Sequence, residues 1–424
     1  MSGFSKRPKS RGVSKPAPAA KKPAAEIVQE EEFIDDDDYG YDDDLPVKSS
    51  KKSRSKGKST GKTSSGSKKN KPSFFTRAVR AIFPCKGDGI AESVRKVIFD
   101  IAVVAFVITG GTVVKQLVDE AWQGGVVDKG IVDSYKDDSE KPDEVIRGEL
   151  NLKDEEIEAI EQEKPGISYS FMELYTQNSD VIGWIRLGDK DNPVINYPVV
   201  QAEDNNYYLN KNFLKQDSER GTIYADYRNV IKPDKLSGNI ILYGHNMWNG
   251  ETMFAKLTRY YDGRLHGESQ DRLGFYKKHP TITFNTLYEN SEWKVFACVL
   301  FNTQKELGEV YPYNNVLEFG NKNEFNSFIL DLMDRSVLWT DVDLTYGDTI
   351  LTLSTCYYPF GKENADTRCA VFARKVRDGE SPEVDVSKAQ INNSPLKFAY
   401  QYQQEGGNWT GRSWDTSKLL SYAE

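Results

Sequence analysis

Between residues 165 and 378, apolar and β-branched residues recur in short runs separated by turn-forming stretches. The runs at 183–187, 194–200, 221–225, 239–243, 281–285, 293–301, 349–355 and 368–376 read as eight strands. Segments 168–178, 253–261 and 323–334 instead repeat apolar residues at helical spacing. The last carries Phe325, Phe328, Ile329, Leu332 and Met333. The pattern predicts a mainly β domain with inserted helices, built as a barrel or a sandwich. No internal repeat is visible.

One apolar run is much longer. Residues 97–114 contain a single charge, Asp100. A spanning helix needs about 17–25 residues. Asp100 stands near the N-terminal end of the run, where a carboxylate can sit at headgroup level. Lys115 can snorkel, and Leu117, Val118 and Trp122 extend the far side. The run predicts one transmembrane signal anchor over 96–118. Arg77, Arg80, Lys86, Arg95 and Lys96 crowd its N-terminal side, whereas Asp119, Glu120 and Asp128 follow it. The positive-inside rule then places the N-terminus in the cytoplasm and the rest of the chain outside the cell membrane.

Composition divides what remains. Residues 1–95 read as a disordered cytoplasmic tail, acidic at 30–44 and then rich in Lys, Ser and Gly. Both signs of charge are concentrated there, so the net charge of −8 says little about the folded part. Gly61-Lys62-Thr63 imitates the end of a phosphate loop, but Lys56 stands where that loop requires Gly. Residues 119–164 read as a charged extracellular stalk, 165–378 as the folded domain, and 379–424 as a C-terminal appendage. Trp409, Trp414, Leu419 and Leu420 suggest that the appendage packs.

Candidate chemistry is sparse. Of the four cysteines, Cys298 lies in the apolar run Val295–Leu300 and reads as core, and Cys85 falls on the cytoplasmic side. Cys356 ends a strand and meets the loop-like Tyr357-Tyr358-Pro359-Phe360-Gly361. Arg368 opens the next strand. Its neighbour Cys369 must then face the other way, into the core, unless it pairs with Cys356 as a disulfide. Of the three histidines, His245 follows a strand, while His266 and His279 lie in polar, turn-like text and read as surface. The sequence has no zinc or calcium ligand spacing, and no cofactor, metal or nucleic acid is expected.

Leu351-Thr352-Leu353-Ser354-Thr355-Cys356, followed by Arg368 and preceded by Tyr243-Gly244-His245-Asn246, resembles the sortase transpeptidases. Asp180-Val181-Ile182-Gly183-Trp184-Ile185, Asn196-Tyr197-Pro198-Val199-Val200-Gln201 and Asp204-Asn205-Asn206-Tyr207-Tyr208-Leu209 resemble their class B branch. The resemblance covers roughly residues 165–378. It implies an eight-stranded sortase-like β-barrel with inserted helices. It also implies a trio with Cys356 as nucleophile, His245 as proton shuttle and Arg368 as oxyanion partner. Ser354 and Thr355 match positions lining the peptide groove. Glu363 and Asp366, between Cys356 and Arg368, are candidates for a substrate-facing acid, and Asn246 is counted with them as substrate-binding.

The implied partners are secreted proteins with a C-terminal sorting signal, and a peptidoglycan precursor or pilin amine as acceptor. Two alternatives stand beside this. One is a cysteine peptidase or amidase, which usually places Cys before His. The other is a non-catalytic surface-interaction protein, which would not need the intact trio.

Overall fold

The computed structural model describes residues 79–122, 128–136, 141–247, 251–262 and 271–423. His266 and residues 1–78 of the expected tail lie outside them. Helix α1, Ile90–Trp122, includes a stretch, Ile90–Lys115, long and apolar enough to cross a membrane. At 1.5 Å per residue its 26 residues extend about 39 Å, more than the roughly 30 Å hydrocarbon core.

The expected strands close into one eight-stranded barrel. Its strands are β1 Val181–Asp189, β2 Asn192–Val200, β3 Tyr224–Ala225, β4 Asn239–Tyr243, β5 Thr281–Thr286, β6 Glu292–Asn302, β7 Ile350–Cys356 and β8 Thr367–Lys375. Around the barrel the order is β1, β2, β3, β4, β7, β8, β6, β5 and back to β1. Closure decides for the barrel over the sandwich and leaves no unpaired edge. β3 is shorter than the run 221–225 suggests, because Gly221 turns with φ +57 before the ladder begins.

Strand alternation separates two cores. Ile185, Leu187, Ile240, Leu242, Trp293, Val295, Leu351, Leu353 and Val371 fill the barrel. Phe296, Val299, Phe301, Ala370 and Phe372 point outward onto the long helix Lys322–Arg335. Asn321 caps that helix by accepting from Asn323 N and Glu324 N. Its Phe325, Phe328, Ile329 and Leu332 form one apolar stripe and bury completely or nearly so. Each such side chain contributes about 1.5–3 kcal/mol of transfer free energy.

The segment read as a stalk differs from expectation. Residues read as a stalk fold against the barrel through the helices Asp128–Ser134 and Asp154–Glu163. Ile131, Tyr135, Ile157 and Ile160 are buried with Phe171 and Trp184. Tyr135 stacks on Trp184 at 4.4 Å between ring centroids, and its hydroxyl accepts from Asn285 Nδ2 at 2.8 Å. A domain start at 165 therefore cuts through a packed core. The segment after 378 is also anchored. Trp414 and Leu419 join the core on the long helix, and Leu344 exchanges backbone hydrogen bonds with Lys418 and Leu420.

Candidate active site

β7 lies between β4 and β8, and this arrangement assembles the trio. In the antiparallel β7–β8 ladder, Cys356 is the direct partner of Arg368. In the parallel β4–β7 ladder, Ser354 pairs with Tyr243. The pairing continues past β4, where Gly244 N donates to Ser354 O at 3.2 Å and Thr355 Oγ1 donates to Gly244 O at 2.7 Å. His245 therefore leaves β4 where Cys356 ends β7. Thiol, imidazole and guanidinium stand at the ends of three adjacent strands.

Each side chain is held by a different device. His245 Nε2 lies 2.9 Å from the carbonyl oxygen of Leu209. A carbonyl only accepts, so Nε2 carries the hydrogen of this bond and Nδ1 is the nitrogen it leaves uncommitted. The backbone of His245 is also fixed, because its carbonyl accepts from Phe254 N at 2.9 Å. Arg368 is largely buried. Its Nη1 donates to Asp366 Oδ1 and, at 3.1 Å, to Thr367 O. Burial opposes its charge, but the neighbouring Cys356 sulfur and the Asp366 carboxylate raise its pKa above the usual arginine value. Cys356 is half-buried, and its thiol is free. The Tyr358 hydroxyl hydrogen-bonds it, and burial together with the sulfur pushes the phenol pKa up.

The expected substrate-binding residues fare differently. Ser354 is buried, and its Oγ lies 2.7 Å from the Tyr313 hydroxyl, whose pKa burial raises to about 12. Thr355 is buried too, and its hydroxyl ties β7 to Gly244. Both hydroxyls join elements together instead of facing a groove. Asp366 also departs from the reading of a substrate-facing acid. It holds Arg368 and accepts from Thr303 Oγ1 at 2.7 Å. Glu363 is exposed on the loop, where it accepts from Asn364 Nδ2 at 2.9 Å. Asn246 is half-buried and pairs through its backbone with Met253. Cys369 faces the core with its Sγ 3.8 Å from Cys298 Sγ, which excludes a Cys356–Cys369 bond in this structure. His279, read as surface, is buried; burial lowers its pKa.

Sequence reasoning missed Leu209, Tyr358 and Tyr313. Leu209 acts through a backbone oxygen, which leaves no side-chain signature. Tyr358 stood in the quoted loop without a role. A small cavity is lined by Tyr197, Arg220, Thr222, Met253 and neighbouring residues; His245, Cys356 and Arg368 are not among them. Among the described residues, no three His, Cys, Asp or Glu side chains are grouped to hold a metal.

Comparison with known proteins gives the family. The sortase domain family matches residues 191–376. Sortase B of Staphylococcus aureus is 33% identical over 186 residues, 44% of this chain and 67% of that protein. The chain belongs to the sortase family. Sortase B of Listeria monocytogenes is 33% identical over 184 residues, covering 43% of this chain and 65% of that protein, slightly under two thirds. A solved Staphylococcus aureus sortase B–substrate complex is 28% identical, covers 55% of this chain and 98% of its own, and superposes with a TM-score of 0.42. The relatives place this sortase in class B.

Proposed function

We propose that this sortase is a membrane-anchored cysteine transpeptidase. The observation that carries the reading is the meeting of Cys356, His245 and Arg368 at the ends of three adjacent barrel strands. The Cys356 thiolate attacks the carbonyl of a peptide bond in a C-terminal sorting signal of a secreted protein. A carbon–sulfur bond forms, and Arg368 donates hydrogen bonds to the oxyanion. The carbon–nitrogen bond then breaks, and protonated His245 supplies the hydrogen that the leaving amine needs. The product is a thioester on Cys356. An incoming amine attacks the thioester and gives up a proton to His245; the carbon–sulfur bond breaks, releasing the amide and returning the Cys356 thiolate beside protonated His245.

The parts fit these roles. Thiolate is the reactive form of cysteine, and the Arg368 guanidinium is its direct partner across the ladder. An oxyanion donor of this kind contributes on the order of 3 kcal/mol. Asp366 orients the guanidinium, and Leu209 fixes the imidazole so that Nδ1 is the nitrogen open to proton transfer.

The acceptor is a peptidoglycan precursor or a pilin amine. Helix α1 is the single anchor, with the N-terminus cytoplasmic and the barrel extracellular, as the basic flank and the acidic far side favour. The charged tail before it remains inside the cell.

The test uses the full chain in detergent with a panel of sorting-signal peptides, with and without triglycine. Peptide joined to triglycine supports transpeptidation. Free acid alone, at a rate indifferent to triglycine, replaces it with a peptidase. Protease treatment of intact cells tests orientation, since the barrel epitope should be cut while the tail is protected.

A further inference from the structure

Residues 398–405 lie beyond the 191–376 span that the family matches, yet they touch both loops that frame the trio. The first loop, 357–366, joins Cys356 to Arg368. Phe360 on this loop meets Phe398 at 6.4 Å and Tyr400 at 5.9 Å between centroids, both edge-on. Phe398 is buried in the same core as the barrel interior. Gln401 Nε2 donates to the Tyr261 hydroxyl at 2.7 Å, and the Tyr261 ring packs on Tyr357, the residue after the nucleophile. Tyr357 is fixed in turn by Asp262, which accepts from its hydroxyl.

The second loop follows β6 and carries Gly308. A Cβ there would stand 2.6 Å from Ala399 N, so the helix Ala399–Glu405 lies directly on this backbone. Gly308 also has φ +130, which glycine alone tolerates easily. The two loops are bound to each other through Asp366. Thr303 N donates to Asp366 O, Thr303 Oγ1 donates to its carboxylate, and Asp366 N donates to Gln304 Oε1. The C-terminal segment thus closes a three-way junction whose centre is the carboxylate that orients Arg368.

Taking the transpeptidase reading as given, we infer that Phe398 and Tyr400 are positioning residues for the reaction. They hold the loop between Cys356 and Arg368, so that the guanidinium and Tyr358 stay in register with the thiol. Loops with few buried contacts open easily, and displacements of about 1 Å at a reacting centre cost up to about 10²-fold in rate. Edge-on aromatic pairs contribute beyond their buried area, which biases a loop without building the fold.

The experiment compares Phe398→Ala, Phe398→Leu, Tyr400→Ala and Trp409→Ala in the full chain. It reads hydrogen exchange at 357–366, kcat and KM separately, and the thermal midpoint. Trp409 is on the same segment but 42% exposed, and serves as the control. Phe398→Ala and Tyr400→Ala are expected to speed exchange at 357–366 about tenfold. They should lower kcat about tenfold with KM within about twofold, while Phe398→Leu recovers most of the loss and Trp409→Ala changes neither. If Phe398→Ala does not fold, Tyr400→Ala alone decides. Unchanged exchange and kcat in a folded variant overturn the inference. So does a kcat loss with no local change in exchange. The exchange readout needs no turnover, so a wild-type chain that forms no thioester would defeat the transpeptidase reading without masking the result for the loop.

Discussion

Cys356 and Arg368 are direct partners across the β7–β8 ladder. The ladder sets the two backbones opposite each other, and the loop 357–366 between them carries Tyr358 and the Asp366 that holds the guanidinium. Cys369, next in sequence, points to the opposite face and lies beside Cys298.

Arg368 should therefore resist conservative replacement. Lysine keeps the charge but loses the planar fork that reaches both Asp366 and an oxyanion. Arg368→Lys is expected to lower kcat by about 10²–10³-fold, the loss typical of one oxyanion donor. Asp366→Asn keeps Arg368 in place but loosens it, and a smaller fall in kcat is expected. Steady-state kinetics on detergent-solubilised protein, with circular dichroism as the folding check, measures both.

His245 depends on a backbone oxygen, and that dependence can be tested at a distance. Gly221 has φ +57, and a Cβ there would stand 2.5 Å from both Leu209 O and Tyr208 O. Gly221→Ala must displace the carbonyl that His245 Nε2 binds. Turnover should fall at least tenfold, as a displacement of about 1 Å at a catalytic group predicts. A shift in the His245 ring resonances in NMR spectra should accompany it. Unchanged resonances and rate would mean that Leu209 does not position the ring.

Much of the barrel was legible because strand burial has a period of two and β-branched residues mark it. The long helix was legible from Phe325, Phe328, Ile329 and Leu332. The packed flanks were not. Ile131, Tyr135, Ile157 and Ile160 are isolated among charged residues, so the local pattern reads as solvated; only contact with Trp184 and Phe171 gives them a core. The trio itself came from the resemblance. Its supports did not, because Leu209 contributes only a carbonyl. The expected groove hydroxyls of Ser354 and Thr355 turned out to be structural ties. Asp366 was singled out as a candidate acid, but its pairing was not legible: an acid two residues before an arginine can face a ligand or that arginine, and here it holds Arg368.

Stability should depend on a buried ion cluster away from the site. Arg374 is fully buried and forms a bidentate pair with Glu380 at 2.6 and 2.7 Å, and Lys294 donates to the same carboxylate at 2.6 Å. Arg374 above all holds the Glu380 carboxyl far below the usual carboxylate range, against the opposing effect of burial. Because the folded pKa is depressed, this stabilisation is complete above the unfolded value of about 4.3 and fades as pH falls below it. Glu380→Gln is expected to cost about 1.5–3 kcal/mol at pH 7, less than for an orphaned charge because Arg374 keeps Asp343 at 3.1 Å. The gap in thermal midpoint between wild type and variant should narrow from pH 7 to pH 3. A constant gap would contradict the pairing.

The most direct test of the account is the intact mass of the full chain after mixing with sorting-signal peptides, beside Cys356→Ala. The account predicts an acyl adduct on the wild type alone, released by added amine as the amide. A Cys356 thiol that is reactive towards an alkylating agent yet forms no adduct with any peptide would contradict it, as would an adduct that survives in Cys356→Ala.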